Sequence, residues 1–279
     1  DVYDIEYNLE SILTVYKSLT EINIINLIIN NDNLLNLGYQ EEEPQSTIEE
    51  IKELNTAPIS NLQSLALTDP MSNSDDLAML LCSSLNPIKN LSVTNSASFP
   101  LTEFIGSITY SEHLKCLELC IDYYNIDFGL SIEKLIRQDS LQELSLIFKR
   151  GYSNEAKRII YSPLQEIEIM NYKKLMFVNT PKEWTNDLIK SLNIESMTEI
   201  YLERVSLSQE QAEVINSLLS QHQSLKSLTF NDCRLSAAIK FPESVQYIDL
   251  GYNNLSNQEL EQLVENTKVI KSSFSLNLE

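Results

Sequence analysis

The chain has 279 residues with 40 acidic and 20 basic side chains, a formal charge of −20, and only 5 glycines. Leu and Ile fill 71 positions, about a quarter of the chain, which is enough apolar material for an extensive core and excludes intrinsic disorder. The acidity excludes nucleic-acid phosphate and anionic lipid as main partners, because like charges repel, and so few glycines leave little room for a Gly-rich phosphate loop.

Residues 1–61 open with Ile5, Leu9, Ile12, Leu13 and Tyr16 at helical spacing, followed by the apolar triplet Leu19-Ile22-Ile24. The segment 38–46, with Glu41-Glu42-Glu43-Pro44, reads as a solvated acidic loop, and Thr47–Leu54 as a second helix. These residues are expected to form degenerate N-terminal units or a helical cap. From Leu62 to the end the pattern L-x-x-L-x-L recurs. It stands at Leu62-Leu65-Leu67, Ile88-Leu91-Val93, Leu114-Leu117-Leu119 and Leu141-Leu144-Leu146. It continues at Leu164-Ile167-Ile169, Met197-Ile200-Leu202, Leu225-Leu228-Phe230 and Val245-Ile248-Leu250, with a closing copy at Val269-Ser272-Phe274. The last two apolar residues of each copy lie two apart and share one face of a strand. Parallel strands are therefore predicted at 64–68, 90–94, 116–120, 143–147, 166–170, 199–203, 227–231 and 247–251. Helical spacing follows most of them, as at Phe104-Ile105, Ile132-Leu135-Ile136 and Ala156-Ile159-Ile160. Ser74-Asp75-Asp76 and Thr180-Pro181 are helix starts, and Ser208 to Gln211 and Ser256 to Glu259 are capping boxes. The step after 227–231 is too short to demand a helix.

One strand–helix unit cannot bury its apolar face alone, so units stack, with strands in one parallel sheet and helices behind them. Helices are wider than strands, and the stack curves into an α/β horseshoe with strands on the concave face and helices on the convex face. The two copies Leu225-Leu228-Phe230-Cys233-Leu235 and Val245-Ile248-Leu250-Asn253-Leu255 extend the pattern to L-x-x-L-x-L-x-x-[N/C]-x-L. In this the chain resembles leucine-rich repeat proteins, most closely the ribonuclease-inhibitor-like subclass, over residues 62–279. The resemblance implies that Cys233 and Asn253 bond backbone groups of the turn after the strand. Other units depart from it, with Pro70, Ser96, Asp122, Lys149, Tyr172 and Val205 at that position. Neither end carries a polar cap of the kind a free repeat stack needs, as expected of a piece of a longer protein.

No catalytic constellation stands out in the sequence. Two histidines, His113 and His222, fall in widely separated units, which disfavours a catalytic triad or a multi-His metal site. No Walker, Rossmann or G-x-S-x-G motif occurs. Cys82, Cys116, Cys120 and Cys233 are too scattered for a disulfide framework and read as reduced thiols of an intracellular protein, cytoplasmic or nuclear. No run of about 18 apolar residues offers a transmembrane helix, and the acidic start Asp1-Val2-Tyr3-Asp4 is wrong for a secretory leader. The expectation is a non-enzyme with no cofactor and no metal.

Function is then expected on the concave face. Glu143, Glu166, Glu168, Glu199 and Glu203 cluster on three successive units, with Tyr201, Tyr247, Asp249 and Tyr252 among or beside them. Aromatic anchors ringed by charge make a protein-binding surface. The partner is expected to be a basic protein, with no nucleic acid and no membrane. The resemblance leaves other roles open: substrate receptor of a ubiquitin ligase, or GTPase activation through Arg204 in a loop after a strand. High Asn and Ile content suits an AT-rich genome. If that genome is bacterial, a secreted effector acting on a protein of the host cytosol is a further role.

Overall fold

The computed structural model describes residues 21–25, 63–68, 88–94, 101–108, 111–121, 135, 140–149, 172–180, 196–220 and 222–279. The chain divides into two compact units, one of Asp1–Ser140 with Gly151–Ile160 and one of Leu141–Arg150 with Tyr161–Glu279.

Among the described residues the first unit holds four parallel strands in chain order, β1 (Glu21–Ile25), β2 (Ser64–Thr68), β3 (Asn90–Thr94) and β4 (Cys116–Ile121). Helix α1 (Leu101–Ile108) connects β3 to β4 and buries Phe104, Ile105 and Ile108. The second unit holds β5 (Glu143–Phe148), β6 (Lys174–Val178), β7 (Glu199–Glu203), β8 (Ser227–Asn231), β9 (Tyr247–Asp249) and β10 (Ser275–Asn277), again parallel and in chain order. Helix α2 (Gln209–Leu219) follows β7 and α3 (Asn257–Thr267) follows β9. The segment after β8 is helix-free, as its short step predicts. The chain is thus α/β with all-parallel strands. The remaining predicted helices lie outside the described residues, except that Leu135 is helical and fully buried. Among the described residues no helix is long and apolar enough to cross a membrane.

Period-two alternation builds the core. Leu65 and Leu67, Leu91 and Val93, Leu117 and Leu119, Leu144 and Leu146, Ile200 and Leu202, and Leu228 and Phe230 are all buried, while their neighbours on the opposite face, apart from the buried Thr229, are half-exposed or exposed. Three residues before the first inward residue of β3, β4, β5, β7, β8 and β9 sits a buried leading residue: Ile88, Leu114, Leu141, Met197, Leu225 and Val245. The carbonyl just ahead of a strand accepts two N–H groups from the start of the next. Gln63 O takes the Lys89 and Asn90 amides, and Lys173 O takes those of Thr198 and Glu199.

Two registers differ from the sequence expectation. The strand between β5 and β7 is Lys174–Val178, with Leu175 opposite Leu144 and Ile200, rather than 166–170, which lies outside the described residues. Its leading residue is Tyr172, whose ring is buried and whose hydroxyl pKa burial raises. Tyr172 therefore fills the core and does not stand in a turn. The last strand pairs Leu276 with Ile248, so the closing triplet is Ser273-Leu276-Leu278 and not Val269-Ser272-Phe274.

Candidate functional site

Turns after the strands of the second unit position the half-exposed face. After β6, β7, β8 and β9 the second residue past the last inward apolar position has positive φ: Asn179 (53°), Arg204 (53°), Asp232 (49°) and Tyr252 (57°). Each such residue donates its N–H onward, to Glu203 O, Asn231 O, Gly251 O and Glu279 O, at 2.9–3.0 Å. Gly251 is required there, because a Cβ would stand 2.3 Å from Glu279 O.

The next position holds the turn shut. Cys233 Sγ lies 3.3 Å from Leu202 O and from Asn231 O, and burial pushes its thiol pKa up to about 12. Asn253 Oδ1 accepts the Cys233 and Leu235 amides at 3.0 and 2.9 Å, while its Nδ2 donates to the carbonyls of Phe230, Leu250 and Gly251. Both residues thus bond backbone groups of the turn, and Cys233 is held as an unreactive thiol. In the β6 unit Asn179 Nδ2 reaches Phe148 O at 2.9 Å.

On the face itself Lys174 stands between two carboxylates, 3.8 Å from Glu143 and 3.8 Å from Glu199. The predicted acidic ridge carries a cation at its centre. Glu166 and Glu168 lie outside the described residues, and Lys174, Met176 and Val178 occupy the sheet positions expected for 166, 168 and 170. Ile147 pairs with Val178 and Met176 with Tyr201, so apolar side chains adjoin the charged row.

Beyond them lies β8, whose face residues Ser227 and Thr229 are small, and Thr229 is buried. Tyr201 and Glu203 of β7 flank it on one side, Tyr247 and Asp249 of β9 on the other. The two flanking strands are two sheet spacings apart, about 10 Å. Tyr201 donates its hydroxyl to Glu203 at 2.7 Å, and Tyr247 points its hydroxyl at Asp249 at 3.5 Å. Partial burial first, then the Glu203 hydrogen bond and the nearby charges of Glu203 and Asp249, push the Tyr201 pKa up to about 12. Asp249 Oδ1 accepts the Gly251 amide at 2.9 Å and the Asn277 amide group at 3.3 Å, which fixes the carboxylate in place. Tyr252 lies in the turn after β9 and not on the sheet face, 72% exposed. Arg204 is also a turn residue, with Nη1 3.2 Å from Glu203 and Nε 3.7 Å from Asp232.

The corresponding face of the first unit is satisfied from within, Asn90 donating to Ser64 and Ser92 to Glu118 at 2.8 Å. Among the described residues no group of three or more His, Cys, Asp or Glu could hold a metal ion.

One recurrent device escaped the sequence reading. A serine directly ahead of the leading residue donates to the carbonyl of the preceding unit's leading residue: Ser196 to Tyr172, Ser224 to Met197 and Ser244 to Leu225, at 2.8–3.2 Å. The signal is visible as Ser196-Met197, Ser224-Leu225 and Ser244-Val245, whereas the similar Ser140-Leu141 differs, Ser140 donating to Ser111 O. No protein-family model matches the chain, and no curated protein matches it.

Proposed function

We propose that the chain is a non-catalytic leucine-rich repeat module of the ribonuclease-inhibitor-like kind, acting inside a cell, which binds a basic protein on the half-exposed face of its sheet. One observation carries this reading: Tyr201 with Glu203 and Tyr247 with Asp249 stand on either side of the small residues Ser227 and Thr229. A partner's Arg or Lys laid over Ser227 and Thr229 would meet Tyr201 and Asp249 on either side of Thr229 and Tyr247 beside Ser227, with the Glu203 carboxylate next to the Tyr201 ring. Cation–π attraction supplies about 0.5–2 kcal/mol per ring, more as water is excluded. The charge of −20 favours such a partner at long range.

The test is fluorescence anisotropy with labelled peptides of equal length, one Arg/Lys-rich and interleaved with Leu, one neutral, one acidic. The basic peptide should bind, and Tyr201→Ala with Tyr247→Ala should abolish that binding. Glu261→Gln, on an exposed face of α3, should leave it intact. Equal binding of all three peptides, or a double variant that binds as the parent does, refutes the reading.

A further inference from the structure

We propose that His222 is an acid-sensitive latch on the connection between α2 and β8. The ring is buried, and its Nδ1 accepts two backbone N–H groups, from Ser224 at 3.1 Å and Leu225 at 3.0 Å. A nitrogen that accepts cannot carry a proton, so the single ring proton sits on Nε2. Nε2 is itself buried, with no hydrogen-bond partner among the described residues. Protonating the ring places an N–H where two N–H groups already point. Both bonds must then break, and the ring must leave its site to be solvated.

The consequences run into the core. Ser224 and Leu225 are the two residues whose amides the ring holds. Ser224 also donates its hydroxyl to Met197 O, and Leu225 is the fully buried leading residue of the β8 unit. Releasing the two amides therefore loosens the joint between the β7 and β8 units.

His222 lines a cleft of about 910 Å3 with Lys240, Glu243 and Lys271 on its other walls. Glu243 is paired with Lys271, so those charges offset each other, and Lys240 opposes an imidazolium. The C-terminus of α2, three residues before His222, favours one by its dipole. The adjoining β7-unit segment, Ser196, Met197 and Thr198, brings no ionisable side chain. Burial prevails and lowers the His222 pKa from the ordinary 6.5.

The sign follows from linkage. A histidine held neutral in the fold and free to charge when released favours the closed state above 6.5. As pH falls from there to the lowered folded-state value, the open population rises about tenfold per pH unit, one proton being taken up on opening. Below that value the effect is complete.

Nuclear magnetic resonance on the intact chain tests this. At neutral pH the imidazole nitrogens of His222 should report an Nε2-protonated tautomer. Between pH 6.5 and the His222 midpoint, hydrogen-exchange protection factors of the Ser224 and Leu225 amides should fall about tenfold per pH unit. The Leu202 and Phe230 amides, inside β7 and β8, serve as references and should keep theirs. His222→Asn, which retains an acceptor but does not titrate, should remove the pH dependence. An Nδ1-protonated tautomer overturns the proposal. So does protection that ignores the His222 titration, or loss that is equal in all four amides. If the substitution does not fold, the parent's tautomer and exchange data decide alone.

Discussion

Single side chains carry unequal shares of the turns. Asn253 satisfies two amides and three carbonyls, so Asn253→Ala strands several part-buried backbone groups at once. At about 1–3 kcal/mol for a buried group left without a partner, the loss should be about 2–4 kcal/mol. Cys233 occupies the matching position one unit earlier but offers a weak S–H donor, and Cys233→Ala should cost about 1 kcal/mol. Urea melts of the two variants check the ratio, and equal costs would contradict it. Tyr252 shows the opposite case. Its φ of 57° is one that a side chain with a Cβ resists by about 1–2 kcal/mol, and the ring is 72% exposed. Tyr252→Gly relieves the conformation and loses about 0.5–1 kcal/mol to the greater freedom of glycine when unfolded. A net gain of about 0.5–1 kcal/mol and a higher Tm should follow, whereas a lower Tm means the ring packs in a way its exposure conceals.

The two well-described capped helices differ in one atom type, and that difference should be visible in acid. In α2 the reciprocal partner of Ser208 is the neutral Gln211, while in α3 the partner of Ser256 is Glu259. The Ser256 side chain and then its backbone N–H hold the Glu259 carboxyl below the usual 4.5. A depressed carboxyl pKa contributes stability above 4.5 that is lost as pH falls through the folded value. The first turn of α3 should therefore fray in that window while that of α2 does not, and Glu259→Gln should cancel the difference. Backbone chemical shifts of residues 257–260 and 209–212 against pH report both turns. The strands answer to packing: Leu228 is fully buried, and Leu228→Ala should cost about 2–5 kcal/mol in thermal or urea unfolding. A parent-like melt would mean that this leading-and-paired register is wrong. The same registers explain what could be read in advance. Strands β2 to β5 and β7 to β9 are legible because apolar residues, aliphatic except for Phe230, mark all three inward positions. At β6 an aliphatic decoy, Leu164-Ile167-Ile169, precedes the true triplet Tyr172-Leu175-Phe177, and only the hydrogen-bonded ladder tells them apart. At β10 a serine leads, and the same ambiguity returns. Tyr201, Glu203, Tyr247 and Asp249 stand at sheet positions that the triplets mark, whereas Lys174 is hidden in the sequence because the decoy lies eight residues before its strand.

Over the whole molecule the charge of −20 and the local sign of the sheet face act at different ranges. The net charge draws a basic partner from a distance comparable to the Debye length, about 10 Å at 0.1 M salt and about 3 Å at 1 M. Close to the face, Glu143 and Glu199 are partly neutralised by Lys174, while Glu203 and Asp249 lie beside the tyrosines. Asp249 also anchors the turn through Gly251, so reversing it would confuse folding with binding. The informative changes are at the charged row. Lys174→Ala should speed association with a basic peptide, and Glu143→Lys with Glu199→Lys should slow it, each chiefly through the on-rate. These differences should shrink as salt rises to 1 M. Tyr201→Ala should act on the off-rate, by ~2 kcal/mol or more if the ring is an anchor, equivalent to a residence time about 30-fold shorter. Stopped-flow association and dissociation of one labelled Arg/Lys-rich peptide separate the two effects. Rates that ignore both salt and Lys174 would leave the charged row as solvated surface. A Tyr201→Ala off-rate equal to the parent's would move the contact away from β8.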